Sequence, residues 1–162
     1  MGGNALKFIQ TFRKPKNEYE EIKKIIISKI EDYISAHSAE NIKYGLIKEA
    51  PEKEDFGDLD ILISGTVENL YKLIEYFEPD EIQRSGHIFS FNYKDFQIDF
   101  LQTENIEMAQ FFYNFGDIGS ILGRIFSTLG FKFGQKGLSL KIYDDFLYKK
   151  NNEGKLFLSN NP

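Results

Sequence analysis

Between residues 17 and 37 the apolar side chains Tyr19, Ile22, Ile26, Ile30 and Tyr33 recur every three or four positions, with Glu and Lys in the gaps. That period predicts an amphipathic helix over about 18–37. Asn17 with Glu20 three residues on supplies a capping-box arrangement at its start. The period then changes. "IKYGLI" (42–47) predicts a short strand, "EAPEKED" (49–55) a charged loop broken by Pro51, and "DLDILIS" (58–64) a buried strand. "TVENLYKLIEYF" (66–77) predicts a helix capped by Thr66 and stopped near Pro79. "HIFSFNY" (87–93) and "FQIDFLQ" (96–102) alternate, and the Lys94-Asp95 pair between them predicts a tight hairpin. The stretch from Ile106 to Gly134 predicts helix in two pieces with a break around Gly116. "GLSLKIY" (137–143) predicts a strand, and "FLYKK" and "KLFLS" around "NNEG" predict a hairpin. The closing "LSNNP" has the form of a helix N-cap with Pro in the first turn, so the chain is expected to be a fragment that another helix would continue.

Composition narrows the classes. The 162 residues suffice for one domain with a real core. A net charge of −5 speaks against extended, non-specific gripping of DNA phosphates, although a local basic groove is compatible with it. With no cysteine there are no disulfides or thiolate metal sites, which suits a reducing interior. No apolar run approaches the roughly 20 residues of a membrane span, and "MGGNALKF" lacks signal-peptide form. A soluble, cytoplasmic protein is expected.

The anomaly is "FGDLDILIS". Asp58 and Asp60 alternate with apolar residues, so on a strand they point the same way. Two adjacent carboxylates repel and resist desolvation. A divalent cation removes the conflict, because Mg²⁺ takes hard oxygen ligands and usually one or two protein carboxylates. A third acid, Asp99, stands in the second alternating strand. If that strand lies beside the first, three carboxylates could bridge two ions roughly 3.5–4 Å apart, the separation used in phosphoryl transfer. Gly57, just before the pair, permits close backbone approach to a ligand.

Gly57, Asp58 and Asp60 before an apolar strand, with Asp99 on a later one, resemble the nucleotidyltransferase superfamily that contains the family X (polymerase beta-like) DNA polymerases. "FFYNFGDIGSILGRIF" is similar to that family's stretch after the palm, with Tyr113, Asn114 and Arg124 at the positions that meet the incoming nucleotide. "GLSLKIYDD" is similar to its later Gly-Leu segment, and the likeness covers about residues 40–145. The resemblance implies Asp58, Asp60 and Asp99 as the catalytic, metal-binding triad, two Mg²⁺ or Mn²⁺ ions, and a nucleoside triphosphate as substrate. One position departs: Gly45 is followed by Leu46, where the family has Ser in a turn that holds the triphosphate. Lys48 and Lys53 could serve as phosphate-binding point charges, although a solvated loop accounts for both.

The expected architecture is an α/β (α+β) fold with a small mixed sheet and helices on one face. A basic segment (1–16) precedes a palm-like domain (17–105), and a partial thumb-like region (106–162) follows. The expected activity is nucleotidyl transfer to a hydroxyl, with a DNA primer 3′ end in gapped or primer-template DNA as acceptor. A protein, a tRNA or a small molecule is the alternative acceptor. A non-catalytic relative that binds nucleotide or a partner is the third reading. His37 and His87 have no partner at metal-ligand spacing. Gly116, Gly119 and Gly123 do not form G-x-G-x-x-G and read as close-packing positions. Arg13, Lys14 and Lys16 with Phe12 read as a mobile basic terminus rather than a nucleic-acid contact.

Overall fold

The computed structural model of the chain describes residues 4–39, 41–143 and 153–162. A short strand β1 (Lys14–Pro15) leads into helix α1 (Lys16–Ala36), followed by β2 (Tyr44–Leu46), β3 (Asp55–Phe56) and β4 (Asp58–Ile63). Then come α2 (Val67–Glu75), β5 (Ile82–Ser85), β6 (Ile88–Tyr93) and β7 (Phe96–Gln102). Helices α3 (Ile106–Tyr113) and α4 (Ile118–Thr128) precede β8 (Phe131–Gly134), β9 (Gly137–Tyr143) and β10 (Glu153–Ser159). The central sheet has the order β2-β4-β7-β6-β5. Within it β4 and β7 run parallel and the other neighbours antiparallel. Strands β8, β9 and β10 form a separate antiparallel sheet.

The alternation in the strands divides the central sheet into two unlike faces. Leu59, Ile61 and Ile63 of β4 share one face with Ile98 and Phe100 of β7 and Phe89 and Phe91 of β6. These close with Ile26 and Ile30 of α1 and Leu70, Leu73 and Ile74 of α2 into the main core. Burial of each such side chain contributes about 2 kcal/mol. On the opposite face, Leu62 and Leu101 meet Ala109 of α3. Helices therefore cover both faces, not one: the last residues of β4 and β7 carry apolar side chains on the acid side too, and α3 buries them. Gly45 makes this approach possible, because a Cβ there would run into Ile106.

Several other expectations are corrected. Helix α1 starts at Lys16 behind Pro15, and no side chain caps it, so Asn17 lies inside the helix. Proline, with its fixed φ and no N–H to satisfy, supplies the entry instead. Thr66 does cap α2, accepting from Asn69 N–H at 3.2 Å. The segment Phe131–Gly134 is strand β8, because Gly130 at φ +83° ends the helical run. Strand β5, "IQRS", carries no alternating pattern of its own. The proposed "FLYKK" strand lies outside the described residues, while "KLFLS" belongs to β10 and pairs with β9. Leu158 and Ser159 are likewise strand residues rather than the approach to a helix. The basic N-terminal segment is not a loose terminus: Ala5 to Phe12 are hydrogen-bonded to Gln97, Glu81 and Asp95, Arg13 pairs with Asp55, Lys14 with Asp95, and Lys16 donates to the Pro51 carbonyl. Among the described residues, no helix is long and apolar enough to cross a membrane.

Candidate functional site

Strands β4 and β7 run side by side with Asp60 opposite Asp99 and Asp58 opposite Gln97. Parallel partners in register share a face, so the three aspartates stand together on the side away from the main core. The row continues across the sheet. Ser90 of β6 lies opposite Asp99 and Asn92 opposite Gln97, and Gln83 of β5 lies opposite Ser90. One half of this face is thus polar, and its other half, at Leu62 and Leu101, is sealed by α3.

The electrostatics are those of crowded acids. Burial pushes the Asp60 carboxyl up to about 8, with the charges of Asp58, Asp99 and Glu49 adding and that of Lys53 opposing. Burial also raises Asp99, to about 6, with Asp58 adding, while hydrogen bonds from Ser90 and Gln97 pull it back. Gln97 Nε2 donates to Asp99 Oδ1 at 2.9 Å. Burial lifts the Tyr113 phenol, and the charge of Asp60 contributes, which sets that ring near the acids. Its hydroxyl lies 3.3 Å from His87 Nε2.

The donor set is hard carboxylate oxygen, which suits Mg²⁺ or Mn²⁺. The backbone aligns the three acids on one face at the edge of a core. Among the described residues, no group of three or more His, Cys, Asp or Glu side chains is placed so that it could hold a metal ion. Like charges repel, so cation binding would require the carboxylates to turn toward one another.

The remaining candidates fall into two groups. Gly57 is buried at the junction of β3 and β4. Lys53 lies 3.1 Å from Glu49, sits over the Phe56 ring and acts on Asp60, so it belongs to the acid neighbourhood rather than to a merely solvated loop. Lys48 is exposed and lines a cleft of about 620 Å³ together with Lys16, Lys23, Glu49, Phe56 and Gln110. Asn114 Oδ1 accepts from the Lys48 backbone N–H at 2.8 Å, and Gln110 Nε2 donates to the Leu46 carbonyl at 2.9 Å. Asn114 therefore holds the loop after β2. Arg124 is exposed on α4, outside the acid row. Gly119 allows α4 to approach α3, where a Cβ would strike the Phe112 carbonyl.

Sequence reasoning missed Glu81, Gln83, Ser90 and Asn92. The signal for two of them was present: Ser90 and Asn92 alternate with Phe89, Phe91 and Tyr93, so a polar row beside a predicted hairpin partner was readable. No family model matches the chain, and no curated protein is similar to it.

Proposed function

We propose that the protein is a metal-dependent nucleotidyltransferase. The observation that carries this reading is the in-register pairing of Asp60 with Asp99 on parallel strands, with Asp58 two residues away on the same face. In the proposed reaction an acceptor hydroxyl forms a bond to the α-phosphorus of a nucleoside triphosphate. The bond to the β,γ-diphosphate breaks, and pyrophosphate leaves with that electron pair. Asp58, Asp60 and Asp99 would hold Mg²⁺ or Mn²⁺, which supplies charge neutralisation at the attacking and leaving oxygens. Asp99 lies at the β7 side of the cluster, where it orients the acceptor hydroxyl and draws off its proton. Lys48, Lys16 and Lys23 offer ammonium groups to the triphosphate from a cleft within the usual ligand-pocket range of about 300–1,000 Å³. That cleft adjoins the acids through Glu49, which lines it and acts on Asp60.

The acceptor we assign first is a primer 3′ end, on the strength of the family X resemblance. A protein, tRNA or small-molecule hydroxyl is the alternative. A non-catalytic nucleotide binder is favoured by one observation: where the family has its Gly-Ser turn, Leu46 is tied to Gln110 and the Lys48 N–H is taken by Asn114.

Incorporation of labelled nucleotide into gapped DNA, tRNA and the protein itself, each with Mg²⁺ or Mn²⁺, tests these readings. Metal-dependent transfer that Asp58→Asn abolishes is the expected result, and the labelled acceptor names the class. Nucleotide binding without transfer to any acceptor would leave the non-catalytic reading standing and remove the enzymatic one.

A further inference from the structure

The segment Ala5–Ile9 crosses to the polar face and is held there by two side chains more than 70 positions away in sequence. Glu81, 8% exposed, accepts the backbone N–H groups of Lys7, Phe8 and Ile9 at 2.8, 2.8 and 2.9 Å. Gln97, 1% exposed, accepts the Ala5 N–H on Oε1 at 2.9 Å while its Nε2 donates to Asp99 Oδ1 at 2.9 Å. An amide has one accepting and one donating end. The Ala5 N–H can only donate and an ionised Asp99 can only accept, so this pair of neighbours selects a single amide orientation. Turning the amide over would set N–H against N–H and oxygen against carboxylate.

We infer that residues Ala5–Ile9 form a brace on the acid cluster, acting through Gln97 as the positioning residue that fixes the Asp99 carboxylate. The inference rests on Asp99 being a metal ligand, as proposed above. The two links carry different loads. Glu81 ties down the segment, and Ala5 converts that anchorage into a fixed amide beside Asp99. Without the Ala5 N–H the Gln97 amide is free to turn, and Asp99 loses the donor that holds one of its oxygens. Groups in this supporting role typically alter metal affinity 10–100-fold.

The test is Mn²⁺ titration of the full chain followed by electron paramagnetic resonance. The variants are Gln97→Ala, which removes the link, and Ala5→Pro, which deletes the bonded N–H at an exposed residue and leaves the side chains of the site intact. Each is expected to weaken Mn²⁺ binding about tenfold. Because they break one chain of contacts, the double variant is expected to bind no more weakly than Gln97→Ala alone. Wild-type affinity in either single variant overturns the brace and leaves the metal site intact, and so does an additive loss in the double variant. A wild-type chain that binds no Mn²⁺ overturns the metal reading, and the brace falls with it. Should Gln97→Ala fail to fold by circular dichroism, Ala5→Pro decides the matter by itself, since wild-type affinity there is incompatible with the brace.

Discussion

Asp60 in β4 and Glu81, the residue just before β5, are carboxyls toward opposite edges of one sheet, and the fold treats them in opposite ways. At the Glu81 end, burial pushes the carboxyl up, but three backbone N–H groups and the Gln83 amide outweigh it and hold it at about 2. At the Asp60 end, burial and three neighbouring acids push the group to about 8. A carboxylate placed for architecture receives donors. A carboxylate buried among its own kind destabilises the fold, and such costs cluster at functional sites.

The largest expected effect separates activity from stability at the Asp60 end. Asp60→Asn should lower nucleotidyl transfer by more than about 100-fold in a labelled-nucleotide assay. The same substitution should stabilise the metal-free protein at pH 7 by on the order of 3 kcal/mol in urea denaturation. A variant that loses both activity and stability would make Asp60 a structural residue like Glu81 and erase the contrast.

The pH dependence follows from the two signs. The folded Asp60 carboxyl keeps its proton to about 8, whereas an unfolded Asp releases it near pH 4. Stability therefore falls as pH rises through that window. Glu81, held at about 2, contributes above the unfolded Glu value of about 4.3 and is lost as pH falls toward its folded value. Together they move the stability maximum of the metal-free protein toward about pH 4. Excess Mn²⁺ should flatten the decline above that pH, and urea midpoints measured from pH 3 to 9 read both limbs.

At the other end, Glu81→Ala strands three N–H donors and should lower the Tm by about 5 °C in calorimetry, a deficit that shrinks as pH falls below 4. The smallest change sharpens the boundary between the regions. Lys53→Gln removes a charge that opposes the Asp60 shift. It should alter stability by no more than about 1 kcal/mol and raise the KM for nucleotide several-fold.

The acids were legible because alternation is a strong signal: Asp58, Asp60 and Asp99 interrupt apolar strands at positions that fix their face. The hairpin of β6 and β7 and the cap at Thr66 followed from equally local chemistry. What stayed hidden was non-local. Strand β5 reads "IQRS", with too little apolar content to announce itself, and becomes a strand because β6 offers an edge. Strand β8 lies inside a run whose apolar residues also fit a helix. The anchorage of residues 5–9 depends on Glu81 and Gln97, and nothing near either in sequence mentions the other. Pro15 displaced Asn17 at the start of α1 because the chain arrives there already paired, Lys14 with Phe56 and Pro15 with Asp55.

Strands β4 and β7 are adjacent in space, yet α2, β5 and β6 intervene along the chain. A hairpin can zip up locally, but this pair must wait for the crossover between its members to collapse, which is the slow class of folding event. A slip of one position would turn Asp99 inward among the Phe side chains and carry Ile98 outward. Recovery of the strand-pairing signal in pulsed hydrogen exchange at β4 and β7 should therefore lag behind recovery of helix signal after dilution from denaturant, and the lag times when the two strands find their alignment.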